Sequence, residues 1–334
     1  MHPTLFWLDL GGHQLGLHSY GILVGLGLAI GVLLFWREGR EQGLEGGRLL
    51  DLAFWCIIAG LAGSRAAFVA LNLGDFAEAC LGVAGRAPPT GWLWGCTAAL
   101  RFWEGGLVFY GGALAAALVV LGFCRREGLS FWRLGDLAAP ALAAGHVVGR
   151  LGCFLAGCCF GKGCATRFGV SFPSDSAVYQ ELLETGVLSP GAPTTPPLHA
   201  TQLYEAAGEL AIFFLLVGLR HRWCGPDRRL AADGLATRPP GGLVLTYGAA
   251  YAVLRFVVEI FRGDVSRRYV IERGWPRLAV ALGLPPGEPI VLSVSQLASL
   301  LVLGVVLGLW LWRRGPRSEA PERAQRAGSK APQD

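Results

Sequence analysis

The stretch Gly149–Gly161 reads GRLGCFLAGCCFG and sets a permanently charged arginine, Arg150, among residues otherwise fit for a membrane. At the centre of a membrane helix one arginine costs about 2.5–3.5 kcal/mol on insertion scales, so its presence there calls for an anionic partner. The competing reading is a helix-end arginine that snorkels into the headgroups. A second series, Tyr247, Tyr251, Arg255 and Glu259, falls at steps of four and makes one polar stripe on an otherwise apolar helix. Glu259 can pair with Arg255 or Arg262, so ion pairs that only tie helices together are the alternative here. Guanidinium forks match phosphate oxygens two at a time, a fit that lysine does not provide. A third set, Cys153, Cys158, Cys159 and Cys164 with His146 nearby, offers metal-ligand or thiol-exchange chemistry. Its spacing is not CxxC, and a free cysteine also packs as a small hydrophobe.

The elements that must position these groups are membrane helices. Apolar residues fill 53% of the 334 positions and charged residues 16%, with a mean hydropathy of +0.46, the balance of a polytopic membrane protein. The net charge of +5 has no basic face or nucleic-acid motif behind it, which excludes nucleic acid as the expected partner. Spans of bilayer length fall near 19–36, 50–71, 106–124, 137–157, 203–219, 242–261 and 292–312, predicting an all-α integral membrane protein of seven transmembrane helices. Alternate connecting segments hold 17 and 9 basic residues, which places the N-terminus outside, the C-terminus in the cytoplasm and the cysteine-bearing loops on the extracytoplasmic side. No cleavage site follows the first apolar run, so that run is expected to remain as a helix. Residues 1–312 read as one seven-helix domain and 313–334 as a disordered cytoplasmic tail.

On this topology Tyr20, Arg65, Tyr110, Arg150, Gln202 and Arg255 all fall in the outer part of their helices. Their shared depth, with glycine clusters beside them, implies an anionic ligand reached from the outer leaflet. Gly145, Gly149, Gly152 and Ala156 leave one helix face nearly bare for close packing. His146, one turn before Arg150, reads as a hydrogen-bonded core histidine. Cys80 and Cys96 allow a disulfide in an oxidising compartment, and the proline-rich segment 162–200 reads as a long outer loop.

Four ordered stretches resemble the prolipoprotein diacylglyceryl transferases of bacterial inner membranes. GRLGCFLAGCCFG is similar to that family's GR-x-GNF-x-NGE-x-x-G, WEGGLVFYGG to W-x-GG-x-x-x-HGG, HATQLYE to HPSQLYE, and RFVVEIFR to R-x-x-x-E-x-x-R. The resemblance implies a multi-pass enzyme of the bacterial inner membrane. It would move the diacylglyceryl group of phosphatidylglycerol to the lipobox cysteine thiol of a preprolipoprotein, releasing glycerol phosphate without a cofactor or metal. It casts Arg150, Arg255 and Tyr110 as catalytic, and Tyr20, Gln202, Tyr204, Glu259 and Gly161, with the two arginines, as substrate-binding. Tyr110 stands where the family motif has histidine, and Cys153 and Cys158 where it has asparagine and glutamate. A cysteine-centred metal or thiol–disulfide protein, or a paralogue with another lipid or acceptor, are the alternatives. A transporter would be expected to show internal repeats, which the chain lacks.

Overall fold

The structure is a computed structural model that describes residues 4–10, 13–81, 96–101, 106–224, 240–264, 269–271, 274–285, 287 and 292–314. The chain runs through strands β1 (Thr4–Leu10) and β2 (His13–His18), then helices α1 (Ser19–Glu41), α2 (Gly46–Leu71) and α3 (Leu73–Leu81), and a 3₁₀ turn (Ala98–Leu100). Helices α4 (Phe109–Glu127), α5 (Phe131–Ala156), α6 (Ala177–Glu184), α7 (Thr201–Cys224), α8 (Gly242–Phe261), α9 (Pro276–Ala281) and α10 (Val294–Arg314) follow. Seven helices among the described residues, α1, α2, α4, α5, α7, α8 and α10, are long and apolar enough to cross a membrane. They coincide with the seven expected spans, extended by a few residues where charged ends continue the helix. Their outward faces are apolar, with Leu33, Phe54, Leu114, Phe214 and Leu301 all exposed, as lipid contact requires.

The antiparallel β1–β2 hairpin adds to the helical reading. Its register runs from Thr4 opposite His18 to Leu10 opposite His13, and it delivers the chain directly into α1. Of the tail assigned to 313–334, Arg313 and Arg314 are instead the last residues of α10, and 315–334 lie outside the described residues, as does Trp103–Gly105 of the WEGGLVFYGG stretch.

Two packing units make up the bundle. Helix α1 lies along α5, which packs in turn on α7 and α8, while α10 covers α8 and α2 pairs with α4. Glycine makes both long contacts close. A Cβ on Gly27 of α1 would come within 2.7 Å of the Gly145 carbonyl on α5, and one on Gly63 of α2 within 2.6 Å of the Gly111 carbonyl on α4. Of the bare face read from the sequence, Gly145 and Gly152 do pack on α1, whereas Gly149 meets nothing within 4 Å. It borders instead a cleft of about 520 Å³ walled by α1, α2, α4 and α5, with Val24, Cys56, Ala116 and His146 also on its sides.

Remote capping fixes the helix ends that matter. Asp136 of α5 accepts from the backbone N–H groups of Gly241 (2.6 Å) and Val244 (2.9 Å), closing the N-terminus of α8. Ser293 and Gln296 cap α10 reciprocally: Ser293 Oγ accepts from Gln296 N at 3.1 Å and Gln296 Oε1 from Ser293 N at 3.0 Å.

Segment 162–200 is not the open loop expected from its prolines. It folds over a small core of Phe160, Phe172, Val178, Tyr179, Leu182, Leu188 and Leu198. Tyr179 Oη donates to the Ala192 carbonyl at 2.7 Å, and Thr195 Oγ1 accepts from Phe172 N at 2.9 Å. Val178, Tyr179 and Leu182 come from the short helix α6, and the remaining core residues are too widely spaced for a helical or strand period, which is why they escape a pattern search.

Candidate functional site

Helices α5, α7 and α8 each place charged groups at one level, and a single carboxylate joins them. Glu205, the fifth residue of α7 and 1% exposed, accepts from Arg150 Nη2 at 2.9 Å. Its second oxygen lies 3.5 Å from Arg255 Nη1. Tyr251 Oη points at the same carboxylate from 3.5 Å. Arg255 Nη2 meets Glu259 Oε2 at 2.9 Å, and Glu259 Oε1 accepts from Ser293 Oγ at 3.0 Å, so the cap of α10 also orients the site. Arg262, just beyond α8, pairs with Asp264; burial raises the Asp264 carboxyl above the usual carboxylate range, against the pull of that arginine.

His146 is more than a core histidine. Arg150 Nε donates to its Nε2 at 3.2 Å, which leaves the ring proton of the neutral form on Nδ1. Nδ1 lies 2.7 Å from Oε1 of Glu209, a carboxylate with no exposed surface. The ring stands 5.5 Å from that of Tyr251, which stacks on Tyr247. His146 thus separates the arginine cluster from the apolar cleft, with an edge on each.

The other expected site residues divide. Gln202 Nε2 donates to the Cys158 carbonyl at 2.7 Å and Thr201 Oγ1 to that of Cys159 at 2.8 Å, so the start of α7 holds the turn after α5. Tyr204 Oη is 3.0 Å from His199 Nδ1 and its ring packs on Phe261. Burial lowers the His199 pKa, opposed by its contact with the Gly283 carbonyl. Gly161 is glycine because a Cβ would sit 2.8 Å from the Phe261 carbonyl and 2.6 Å from the His199 Cβ. Tyr20 starts α1 with its backbone against Gly152 and its side chain within electrostatic reach of Arg150. Glu259 lies inside the cluster.

Two members of the expected convergence stand apart. Tyr110 is 67% exposed on α4 and packs on Phe109; α4 travels with α2, across the cleft from the arginines. Arg65 binds the carbonyls of Ala98 (2.6 Å), Ala99 (2.9 Å) and Gly106 (3.1 Å) and lies against Phe68 and Phe76. It is a clamp on the segment before α4, close to the Cys80–Cys96 disulfide that the sequence allowed. Glu205 and Glu209 were missed as site residues, although their i, i+4 spacing on an apolar helix was a signal of the same kind as the α8 stripe.

Two half-buried arginines that share one buried carboxylate beside an apolar cleft, on helices of membrane-crossing length, define the class as a membrane protein with a cationic site next to apolar surface. The family model described as prolipoprotein diacylglyceryl transferase matches residues 8–312, and the chain belongs to that family. It is 30% identical to the phosphatidylglycerol–prolipoprotein diacylglyceryl transferase of Prochlorococcus marinus (strain MIT 9303), over 96% of this chain and 93% of that one. Its similarity to the enzyme of the same name from Clostridium tetani (strain Massachusetts / E88) is 24% over 93% of this chain and 97% of the relative. For Legionella pneumophila (strain Corby) it is 25% over 93% and 97%.

Proposed function

We propose that this chain is a multi-pass enzyme of the bacterial inner membrane that transfers the diacylglyceryl group of phosphatidylglycerol to the lipobox cysteine of a preprolipoprotein. The observation that carries the reading is the pair Arg150 and Arg255 held on one buried carboxylate, Glu205, next to a cleft of acyl-chain character. A phosphodiester takes the place of Glu205 between the two guanidiniums, and Glu205 keeps them aimed in its absence. The substrate thiolate attacks the glyceryl carbon that bears the phosphate; the S–C bond forms as the C–O bond breaks, and the electron pair leaves on glycerol phosphate. Arg150 and Arg255 offset the charge that grows on the departing oxygen.

His146 is the proton acceptor that the geometry favours over Tyr110. With Arg262 and Asp264 paired to each other, Arg150 and Arg255 face three carboxylates, Glu205, Glu209 and Glu259. These carboxylates and an entering phosphodiester surround His146 with negative charge, which favours a proton on its ring. The thiol proton moves to His146 Nε2, freed as Arg150 turns to the phosphate, with Nδ1 2.7 Å from the Glu209 carboxylate. The glycerol phosphate then carries that proton away.

The 17-to-9 basic asymmetry orients the site toward the extracytoplasmic face, with the N-terminus outside and the C-terminus inside. Complementation of a strain depleted of its own diacylglyceryl transferase tests the function, read as thioether-linked diacylglycerol on a model prolipoprotein. Rescue is expected; a stably inserted chain that leaves the prolipoprotein unmodified contradicts the proposal.

A further inference from the structure

Helix α5 ends in a turn that gathers three thiols, and the reaction proposed above uses none of them. Cys153 sits on the last turn of the helix; Gly157, with φ +70°, terminates it, and Cys158 N bonds back to the Cys153 carbonyl at 3.1 Å. Cys159 then adopts φ +58°, a left-handed conformation that a side chain makes costly and that glycine or asparagine would fill more easily. These two left-handed residues fold the chain back over the helix end, so that the sulfurs of Cys153, Cys158 and Cys159 all lie within 4.8 Å of one another. The turn is fixed from beneath, because Gln202 and Thr201 of α7 take the carbonyls of Cys158 and Cys159, and Phe160 is buried directly after it.

We propose that Cys153, Cys158 and Cys159 form a trithiolate site for a d¹⁰ metal ion, zinc(II) or copper(I). A zinc–thiolate bond of about 2.3 Å sets sulfurs about 3.8 Å apart around a tetrahedral ion, a contraction of about 1 Å from the upper bound observed here. Soft sulfur donors with no carboxylate among them select such ions over calcium or magnesium. The C-terminal end of α5 turns carbonyl dipoles toward the same place, which favours a cation. Three thiolates on a divalent ion leave one negative charge, and Arg262 and Arg150 both act electrostatically on Cys159. Cys158 and Cys159 are partly exposed while Cys153 is buried, which gives an ion a route in and one open coordination position. Cys164 is directed elsewhere, with Sγ 3.1 Å from Thr166 Oγ1.

The membrane crossing argues in the same direction. Helices α4 and α5, two crossings, separate the Cys80–Cys96 disulfide from the triad, so both lie on one face of the membrane. A compartment that closes one pair of cysteines would also oxidise three neighbouring free thiols, and metal coordination is the chemistry that keeps such sulfurs from pairing.

The site stands apart from the transferase reading, so the test uses metal and not activity. Full-length protein in nanodiscs is reduced, exposed to zinc sulfate or, under argon, to a copper(I) acetonitrile complex, desalted and assayed for metal. About one ion per chain is expected in one of the two arms. Cys153→Ser, Cys158→Ser and Cys159→Ser should each weaken retention about 10- to 100-fold, while Cys56→Ser and Cys164→Ser keep it. Since a serine at any of the three could disturb the turn, the wild-type protein supplies a second readout: bound metal should shield these thiols from alkylation and leave Cys164 as reactive as before. Failure to retain metal in both arms by folded protein, retention indifferent to all three serine variants, or a disulfide within the triad in unreduced protein would each overturn the proposal.

Discussion

Arg150 on α5 and Arg65 on α2 belong to the two packing units of one bundle and read alike in the sequence, yet the structure gives them different partners. Arg150 is held by one buried carboxylate that it shares with Arg255, a partner a phosphate can replace charge for charge. Arg65 is held by three backbone carbonyls and two aromatic rings. No anion can take the place of those carbonyls without freeing the segment before α4. What separates a binding arginine from a structural one in a membrane is therefore the exchangeability of its partner, and neither depth nor burial reports that.

The comparison is broken most forcefully by removing the charge. Arg150→Ala or Arg255→Ala should lower transfer at least a thousandfold in protein that still inserts, since each removes a donor to the leaving group and leaves Glu205 with one guanidinium in place of two. Arg65→Ala should leave turnover per folded molecule within a few-fold and instead cost about 1–3 kcal/mol of stability, seen as a lower Tm. An Arg65→Ala protein that is stable but inactive would collapse the distinction.

His146 sharpens the same contrast. His146→Gln should reduce kcat about a hundredfold with KM for phosphatidylglycerol within a few-fold, the split expected when a proton acceptor is lost and the phosphate clamp stays. On the other side of the cleft, Tyr110→Phe should change kcat less than tenfold. The opposite ranking would return the proton transfer to α4.

On the Arg65 side, Cys80→Ser with Cys96→Ser opens a crosslink of sequence separation 16, with an expected loss of about 3 kcal/mol on loop-entropy reasoning. Scanning calorimetry of the paired variant against the oxidised protein measures it. The smallest expected effect concerns His199. Its pKa is lowered in the fold, so the unfolded chain binds more protons just below the ordinary histidine value. The stability it contributes is complete above about pH 6.5 and declines as pH falls beneath that value. His199→Gln should flatten the Tm against pH curve below about pH 6.5.

The seven spans were legible because hydropathy over about 20 residues is a strong signal in a bilayer. The polar stripe on α8 was legible because its step of four is the helix period. Glu205 joins two arginines from two other helices, and a contact of that kind has no sequence period; it arises where α7 packs on α5 and α8. Arg65 was misgrouped for the related reason that depth in a span says nothing of the partner. The folded segment 162–200 escaped because, outside the short helix α6, irregular backbone with scattered core residues such as Phe172 and Leu198 carries no pattern to read.

The central claim is that Arg150 acts as a planar fork on phosphate while Arg65 acts as a structural clamp. Single-turnover transfer from glyceryl-labelled phosphatidylglycerol to a lipobox peptide, measured side by side for Arg150→Lys and Arg65→Lys in folded protein, tests it directly. Lysine keeps the charge and loses the fork. The account predicts a loss on the order of a hundredfold or more for Arg150→Lys, with Arg65→Lys near wild type. Near-wild-type transfer by Arg150→Lys would contradict the phosphate clamp.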